Sequence, residues 1–305
     1  MYFPSEDERR LLVGRLLPQA RREGVHEELR GWSWREPPLS PAYDVRLGAA
    51  EIAGKYCGTS RDVYARRVLG LRASPNRAMR EGAALHRALA DVVLRAKRLI
   101  YTHGAAECVG ALAELAGPGA DVVGESGLVG AEAEDLSRKV ATLRGYEYHR
   151  IVGRVQEVLA RQPRVGTDSL ATLALPVTLE QQLDGTLLGL SGHLSVDALT
   201  VFEPVVFDVK FGRREEFHRL STTAYALVLE SLHEQPVDVG CVVYGRFEGS
   251  RLLVERDPHL IDDELRQWFV DERDERMRMV SEELDPGVPE RCYEDCPYQG
   301  QCRRA

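Results

Sequence analysis

No stretch of this 305-residue chain runs 18 or more apolar residues in a row, so nothing in it reads as a membrane-spanning helix. The first ten residues, Met1 to Arg10, hold no apolar core of the secretory-signal kind, and the expectation is a chain that stays in the cytoplasm. The glycines at 117, 119, 124, 127 and 130 lack the Gly-Lys-Ser/Thr ending of a phosphate loop, so that segment reads as a flexible linker. Cysteine is sparse at six, and in an intracellular chain of this size thiols serve as metal ligands or buried groups more than as disulfides. Lysine is scarcer still, four against 36 arginines, which gives weight to any lysine in a chemically loaded position.

What is present excludes wholesale disorder: 44% of residues are hydrophobic, enough for a sizeable core. The net charge of −8 hides an asymmetry. Lys55 to Arg98 holds eleven Lys/Arg against three Asp/Glu, a balance of +8; Ile261 to Glu290 holds four against eleven, or −7. The first segment suits a phosphate backbone and the second a basic partner, unless both are merely solvated helix faces.

Residues 1–45 read as a helix and a loop rich in Trp and Pro. Ser74-Pro75-Asn76 opens a helix that runs through Leu85, Leu89, Val92, Val93 and Ala96 to about Ile100, with a shorter one reaching Leu115. Glu132 to Leu159 reads as a long helix. After Pro163 the pattern turns to strands. Leu173–Leu179 and Thr186–Leu190 are expected to meet at the Asp184-Gly185 turn, followed by His193–Leu199 and Pro204–Lys210. A helix at about Glu215–Leu232, strands at Val237–Phe247 and Arg251–Glu255, and a charged helix at Ile261–Glu283 complete an α/β or α+β core with a helical annex.

Asp197 falls near the end of one expected strand, and Asp208-Val209-Lys210 ends the next. Residues two apart on a strand face the same way, so Asp208 and Lys210 share one side. Two acids that hold a hard divalent cation, with a lysine beside them, suit metal-assisted phosphodiester hydrolysis. The lysine would orient the attacking water or meet charge developing on the phosphate. His86, mid-helix, adds an imidazole of the kind Mn²⁺ accepts and Mg²⁺ tolerates. Each of these also has a bland reading as a solvated or satisfied side chain. Cys292, Cys296 and Cys302 stand at C-x3-C-x5-C spacing in a polar tail, with Cys57 the candidate for a remote fourth ligand. Four such thiolates match a cubane iron–sulfur cluster better than a zinc ribbon, which uses two close pairs. Cys108 and Cys241 read as buried small hydrophobes.

Taken in order, His86, Asp197, Asp208-Val209-Lys210, Tyr225 and one-plus-three cysteines resemble RecB-like nucleases with an iron–sulfur clasp. The pattern is most similar to the fourth CRISPR-associated (Cas) protein family, the exonucleases of spacer acquisition. The chain length and the Tyr56-to-Tyr64 stretch look like its archaeal type I-A subgroup. The resemblance covers about residues 45–305. It implies an α/β fold with a RecB-type PD-(D/E)XK (restriction-endonuclease-like) core at 163–283, an N-terminal helical region at 1–162 and a cysteine tail at 284–305. It implies His86, Asp197, Asp208 and the Val209 carbonyl as ligands of Mn²⁺ or Mg²⁺, with Lys210 as the catalytic lysine. Cys57, Cys292, Cys296 and Cys302 would hold a [4Fe–4S] cluster. It further implies a 5′ to 3′ deoxyribonuclease on DNA with single-stranded ends, trimming prespacers for the CRISPR integrase; a homo-oligomer is compatible with it. Arg61, Arg66 and Arg67, in the basic stretch, are the expected DNA contacts. The family's Gln-x-x-x-Tyr motif departs here: Tyr225 matches, but Ser221 stands in place of Gln. That departure favours the alternative, a catalytically silent, cluster-bearing adaptor that binds DNA ends and the integrase.

Overall fold

The computed structural model describes residues 1–117, 119–200 and 203–302. Pro118 of the expected linker and residues 303–305 of the tail lie outside them. The N-terminal segment forms α1 (Glu6–Leu11), a π-helical turn and α2 (Leu17–Glu23) in one run, then two short 3-10 turns. Short helices α3 (Ala49–Ala53) and α4 (Arg61–Arg67) precede α5 (Arg77–Ala111). Asn76, not Ser74, caps α5: its side chain accepts from the Met79 N–H at 2.9 Å. The two helices expected before Leu115 lie within α5, which breaks between them at Gly104, whose φ of 68° only glycine adopts freely. The expected linker carries α6 (Ala120–Glu125), and α7 (Ala131–Arg161) is the long helix the periodicity predicts.

Two strand assignments need correction. Residues 173–175 belong to α8 (Thr167–Ala174) and its cap, and Pro176 blocks its continuation. Strand β1 (Val177–Leu183) therefore starts late. Thr186–Leu188 is a 3-10 turn rather than a strand, so the arm that returns from the turn is β2 (Leu194–Thr200). Then come β3 (Val205–Lys210), α9 (Arg219–His233), β4 (Val239–Glu248), β5 (Arg251–Leu260, twice its expected length), α10 (Asp263–Ser281) and α11 (Gln299–Cys302). Among the described residues no helix is long and apolar enough to cross a membrane.

The chain is thus α/β, with a five-stranded sheet in the order β1-β2-β3-β4-β5. All neighbours are antiparallel except β3 and β4, which α9 joins as a crossover. Alternation along β3 divides its side chains. Val206 packs with Leu220, Ala224 and Leu227 of α9, while Phe207 and Val209 pack with Leu85 and Leu89 of α5 and Leu136 and Val140 of α7. Both faces being covered, β3 is apolar throughout except where it carries Asp208 and Lys210.

Residues 26–41, which the sequence leaves without a role, are fixed by buried ions. Glu230 at the end of α9 takes two bonds from Arg266 (2.7 and 2.9 Å) and one from Arg30 (2.9 Å), and accepts the Gly31 and Val237 N–H groups. Asp238 joins through Arg30 and Arg266. A buried charge stripped of its partner costs roughly 3–5 kcal/mol, and here every guanidinium is answered. Gly31 is required at this junction, since a Cβ there would stand 2.0 Å from the Leu227 carbonyl.

His259, on β5, is buried between the Thr222 hydroxyl and the Asp257 carbonyl, each 2.9 Å away. Burial pushes its pKa down to about 4. Below pH 6.5 the unfolded chain binds a proton here that the native ring refuses, so stability falls with pH until about pH 4. The slope from this group approaches about 1.4 kcal/mol per pH unit. Urea unfolding at pH 7 and pH 5 should show the loss, and His259→Gln should flatten it. Equal slopes for both proteins would assign the acid sensitivity elsewhere.

Candidate active site

Between β2 and β3 the ladder holds only Ala198↔Phe207 and Leu199↔Val206. The next opposed pair would be Asp197 and Asp208, and there the strands part. On its other side Asp197 faces a second interruption: β1 pairs Leu179 and Gln181 with β2 but skips Glu180, whose φ of 47° lies in the left-handed region. Strand distortions of this kind re-aim side chains beside functional sites. Released from the ladder, the Asp197 carboxylate accepts the Val209 N–H at 2.9 Å.

The electrostatics follow from this opposition. Burial first, then the charge of Asp208, pushes the Asp197 carboxyl above its usual range, against the pull of His86, the Val209 amide and Lys210. Lys210 Nζ lies 2.8 Å from Asp208 Oδ2, an ion pair that is the described partner of that buried oxygen. Burial alone would lower the lysine's pKa, but Asp208, Asp197 and Tyr56 outweigh it and the net shift is upward. Lys210 is therefore a cation at neutral pH and not a general base.

His86, from α5, brings Nδ1 to 3.6 Å from Asp197 Oδ2, its ring edge-on to Phe211. Tyr225, from α9, is half-buried; burial first and then the two carboxylates raise its pKa, so its hydroxyl stays protonated. Ser221, one turn earlier, is buried. Two carboxylates and an imidazole are the hard-to-borderline donor set a Mg²⁺- or Mn²⁺-like ion takes. As they stand, no three His, Cys, Asp or Glu side chains among the described residues converge closely enough to enclose an ion. Lys210 rests against the oxygen that such an ion would need. The donor chemistry fits a divalent cation, and the observation that carries the fit is the pair of opposed carboxylates, Asp197 and Asp208, with the His86 imidazole beside them.

The sequence profile described as CRISPR-associated exonuclease Csa1 matches residues 1–304. Two curated proteins of that name are each 30% identical to this chain. The one from Thermoproteus tenax aligns over 297 residues, covering 96% of this chain and 98% of its own; the one from Saccharolobus solfataricus aligns over 307, covering 99% of each. The chain belongs to the Csa1 family of CRISPR-associated exonucleases.

Sequence reasoning missed several residues at this Csa1-family site. Tyr2 is buried with its hydroxyl 3.4 Å from His86 Nδ1. His218 lies beside Lys210 and Asp208; burial, then Lys210, pushes its pKa down to about 4, so the ring is neutral. It links the hydroxyls of Tyr56 (2.7 Å) and Tyr244 (3.1 Å). Tyr244 is the β4 partner of Lys210 in the parallel ladder, a relation that no spacing in the sequence announces.

Among the described residues of this Csa1-family chain, no three cysteines converge closely enough to enclose an ion. Cys108 is buried in the helical cluster and Cys241 in the sheet, where burial pushes its thiol up to about 12. The tail runs back against residues 57–76: Thr59 donates to the Gly287 carbonyl at 2.8 Å, Ser74 N–H to Pro297, and Gln301 to Arg72. Burial raises the Cys296 thiol, and neighbouring Cys292 and Cys57 raise it further. Cys302 lies behind them under Arg61, whose Nη1 reaches its Sγ at 3.2 Å.

The expected DNA contacts need correction at Arg61. It is buried and forms two bonds to Asp285 (2.8 and 2.7 Å) and one to the Cys302 carbonyl. Those bonds pull the Asp285 carboxyl down to about 2 and leave Arg61 no surface for phosphate. Arg67 is held by two bonds to Glu51. Arg66 stays 60% exposed, 3.6 Å from the same carboxylate.

Proposed function

We propose that this chain is a metal-dependent DNA exonuclease that trims single-stranded 5′ ends of prespacers for the CRISPR integrase, acting in the cytoplasm. The observation that carries the reading is the Asp197–Asp208 pair set against the Lys210 ammonium. The reading assigns residues 163–283 to a RecB-type PD-(D/E)XK core, 1–162 to a helical region, and 284–305 to a clasp. His86, Asp197, Asp208 and the Val209 carbonyl would hold Mn²⁺ or Mg²⁺. A divalent cation there supplies a neutralised phosphate and a more acidic attacking water. Lys210, permanently charged, stabilises the phosphate oxygens as charge builds on them. Tyr225 keeps its proton and donates a hydrogen bond toward the carboxylates or the DNA. Cys57, Cys292, Cys296 and Cys302 would bind a structural [4Fe–4S] cluster that ties the tail to the turn before α4.

The names of the two relatives support the exonuclease reading. Ser221 supports the rival, a silent adaptor that binds DNA ends and the integrase. Protein purified without air and given end-labelled single strands with Mn²⁺ or Mg²⁺ should shorten them from the 5′ end. End binding without cleavage under either metal would establish the adaptor.

The arginines give a separate prediction. Arg66→Glu should weaken DNA binding and lower the slope of log K against log salt by about one. Arg61→Glu should leave that slope alone and lower the melting temperature, since it sets a carboxylate against Asp285. A flattened slope at unchanged stability in Arg61→Glu would return Arg61 to the DNA interface.

A further inference from the structure

Tyr56 is half exposed, at 50%, an unusual state for a tyrosine whose hydroxyl is already bonded inside the protein. That hydroxyl donates to His218 Nε2 at 2.7 Å. With the imidazole neutral, His218 Nδ1–H donates to the Tyr244 oxygen at 3.1 Å, and the Tyr244 hydroxyl donates to the Glu215 carbonyl at 3.3 Å. In this tautomer every donor of the relay has its acceptor. Phe217 meets the Tyr56 ring at 88° with centroids 4.9 Å apart, and Tyr293 lies 5.7 Å away at 42°. Hydroxyl and ring edges thus hold the side chain in one orientation while half of its surface stays open.

The position matters as much as the exposure. Tyr56 shares His218 with Tyr244, the ladder neighbour of Lys210, and its hydroxyl feels the charges of Lys210 and Asp208, which sets it near the candidate catalytic pair. An aromatic plane fixed before ligand arrives loses little entropy when it is covered. Single-stranded nucleic acid offers the flat π-faces that such a plane accepts, and paired bases, stacked on one another, do not.

We propose that Tyr56 is a nucleobase-stacking platform that receives the unpaired base at the DNA end next to the scissile phosphate, giving the site its preference for single strands. This rests on the DNA-nuclease reading above. Binding of full-length protein to single strands in EDTA, where cleavage is suppressed, tests it. The strands carry at that end either a normal base or an abasic residue. Tyr56→Ala should weaken binding of the normal strand about 5- to 150-fold. Tyr56→Leu, which keeps apolar contact with Phe217, should weaken it similarly, and Tyr56→Phe should stay within about threefold. Wild type should lose the same factor on the abasic strand, where the variants lose nothing more. Wild type that binds normal and abasic ends equally, or a Tyr56→Ala loss that persists on abasic ends, would overturn the platform while leaving the nuclease intact. Wild type that binds no single strand at all would overturn the nuclease reading and the platform with it.

Discussion

Lys210→Ala should cut DNA about 10²- to 10³-fold more slowly than wild type, the usual loss when one preorganised charge is removed from a developing oxyanion. Its metal affinity should hold or rise. The ammonium lies 2.8 Å from Asp208 Oδ2, so it competes with any cation that takes that oxygen. Asp208→Ala is expected to behave oppositely, with metal binding and cleavage collapsing together. His86→Ala should fall between them and recover partly with more Mn²⁺, because it removes a neutral ligand and no charge. Calorimetric titration with Mn²⁺ alongside the rate assay separates these outcomes. If Lys210→Ala cuts as fast as wild type, the active site lies elsewhere in the fold.

Replacing any of Cys57, Cys292, Cys296 or Cys302 by Ala should take iron from about four atoms per chain to near none in anoxically purified protein. Cys108→Ala and Cys241→Ala should retain it, since both thiols are buried away from the tail. The melting temperature should drop with the iron. The tail's described contacts with residues 57–76 are the Arg61 bonds to Asp285 and Cys302, a few other hydrogen bonds and a small cluster around Ala65, Tyr298 and Cys302, to which a cluster would add four further links. Zinc in place of iron, in material never exposed to air, would overturn the assignment of the cluster.

The parts of this protein legible in the sequence are those where local spacing carries the information. Asp208 and Lys210 share a side because strands alternate, and the bend of α5 cost the reading only a boundary. The strand placed at Thr186–Leu190 failed because a short apolar run fits a buried turn as well as a strand. Helix α8 was missed because Leu170, Ala171 and Ala174 form a stripe barely two turns long, and Leu173, Leu175 and Val177 imitate strand alternation beyond it. At the site, Tyr2, Tyr56 and His218 were out of reach, since their roles come from approaches across 84 and 162 residues of chain. Arg61 shows the limit of charge counting: a basic stretch advertises phosphate binding, yet its first helical arginine turns inward to answer Asp285.

The buried ions around Glu230 also set a timetable for the chain as it is made. Arg30 waits 200 residues for Glu230 and Arg266 arrives 36 later, while Arg61 waits 224 for Asp285. At the roughly 5–20 residues per second of a ribosome, the first of those intervals is about 10–40 s. Through that time Arg30 has neither Glu230 nor Asp238, and the long loops that join such partners are among the slowest to close. A chain cut short before α9 would therefore hold Arg30 without either of the buried carboxylates that answer it in the finished fold.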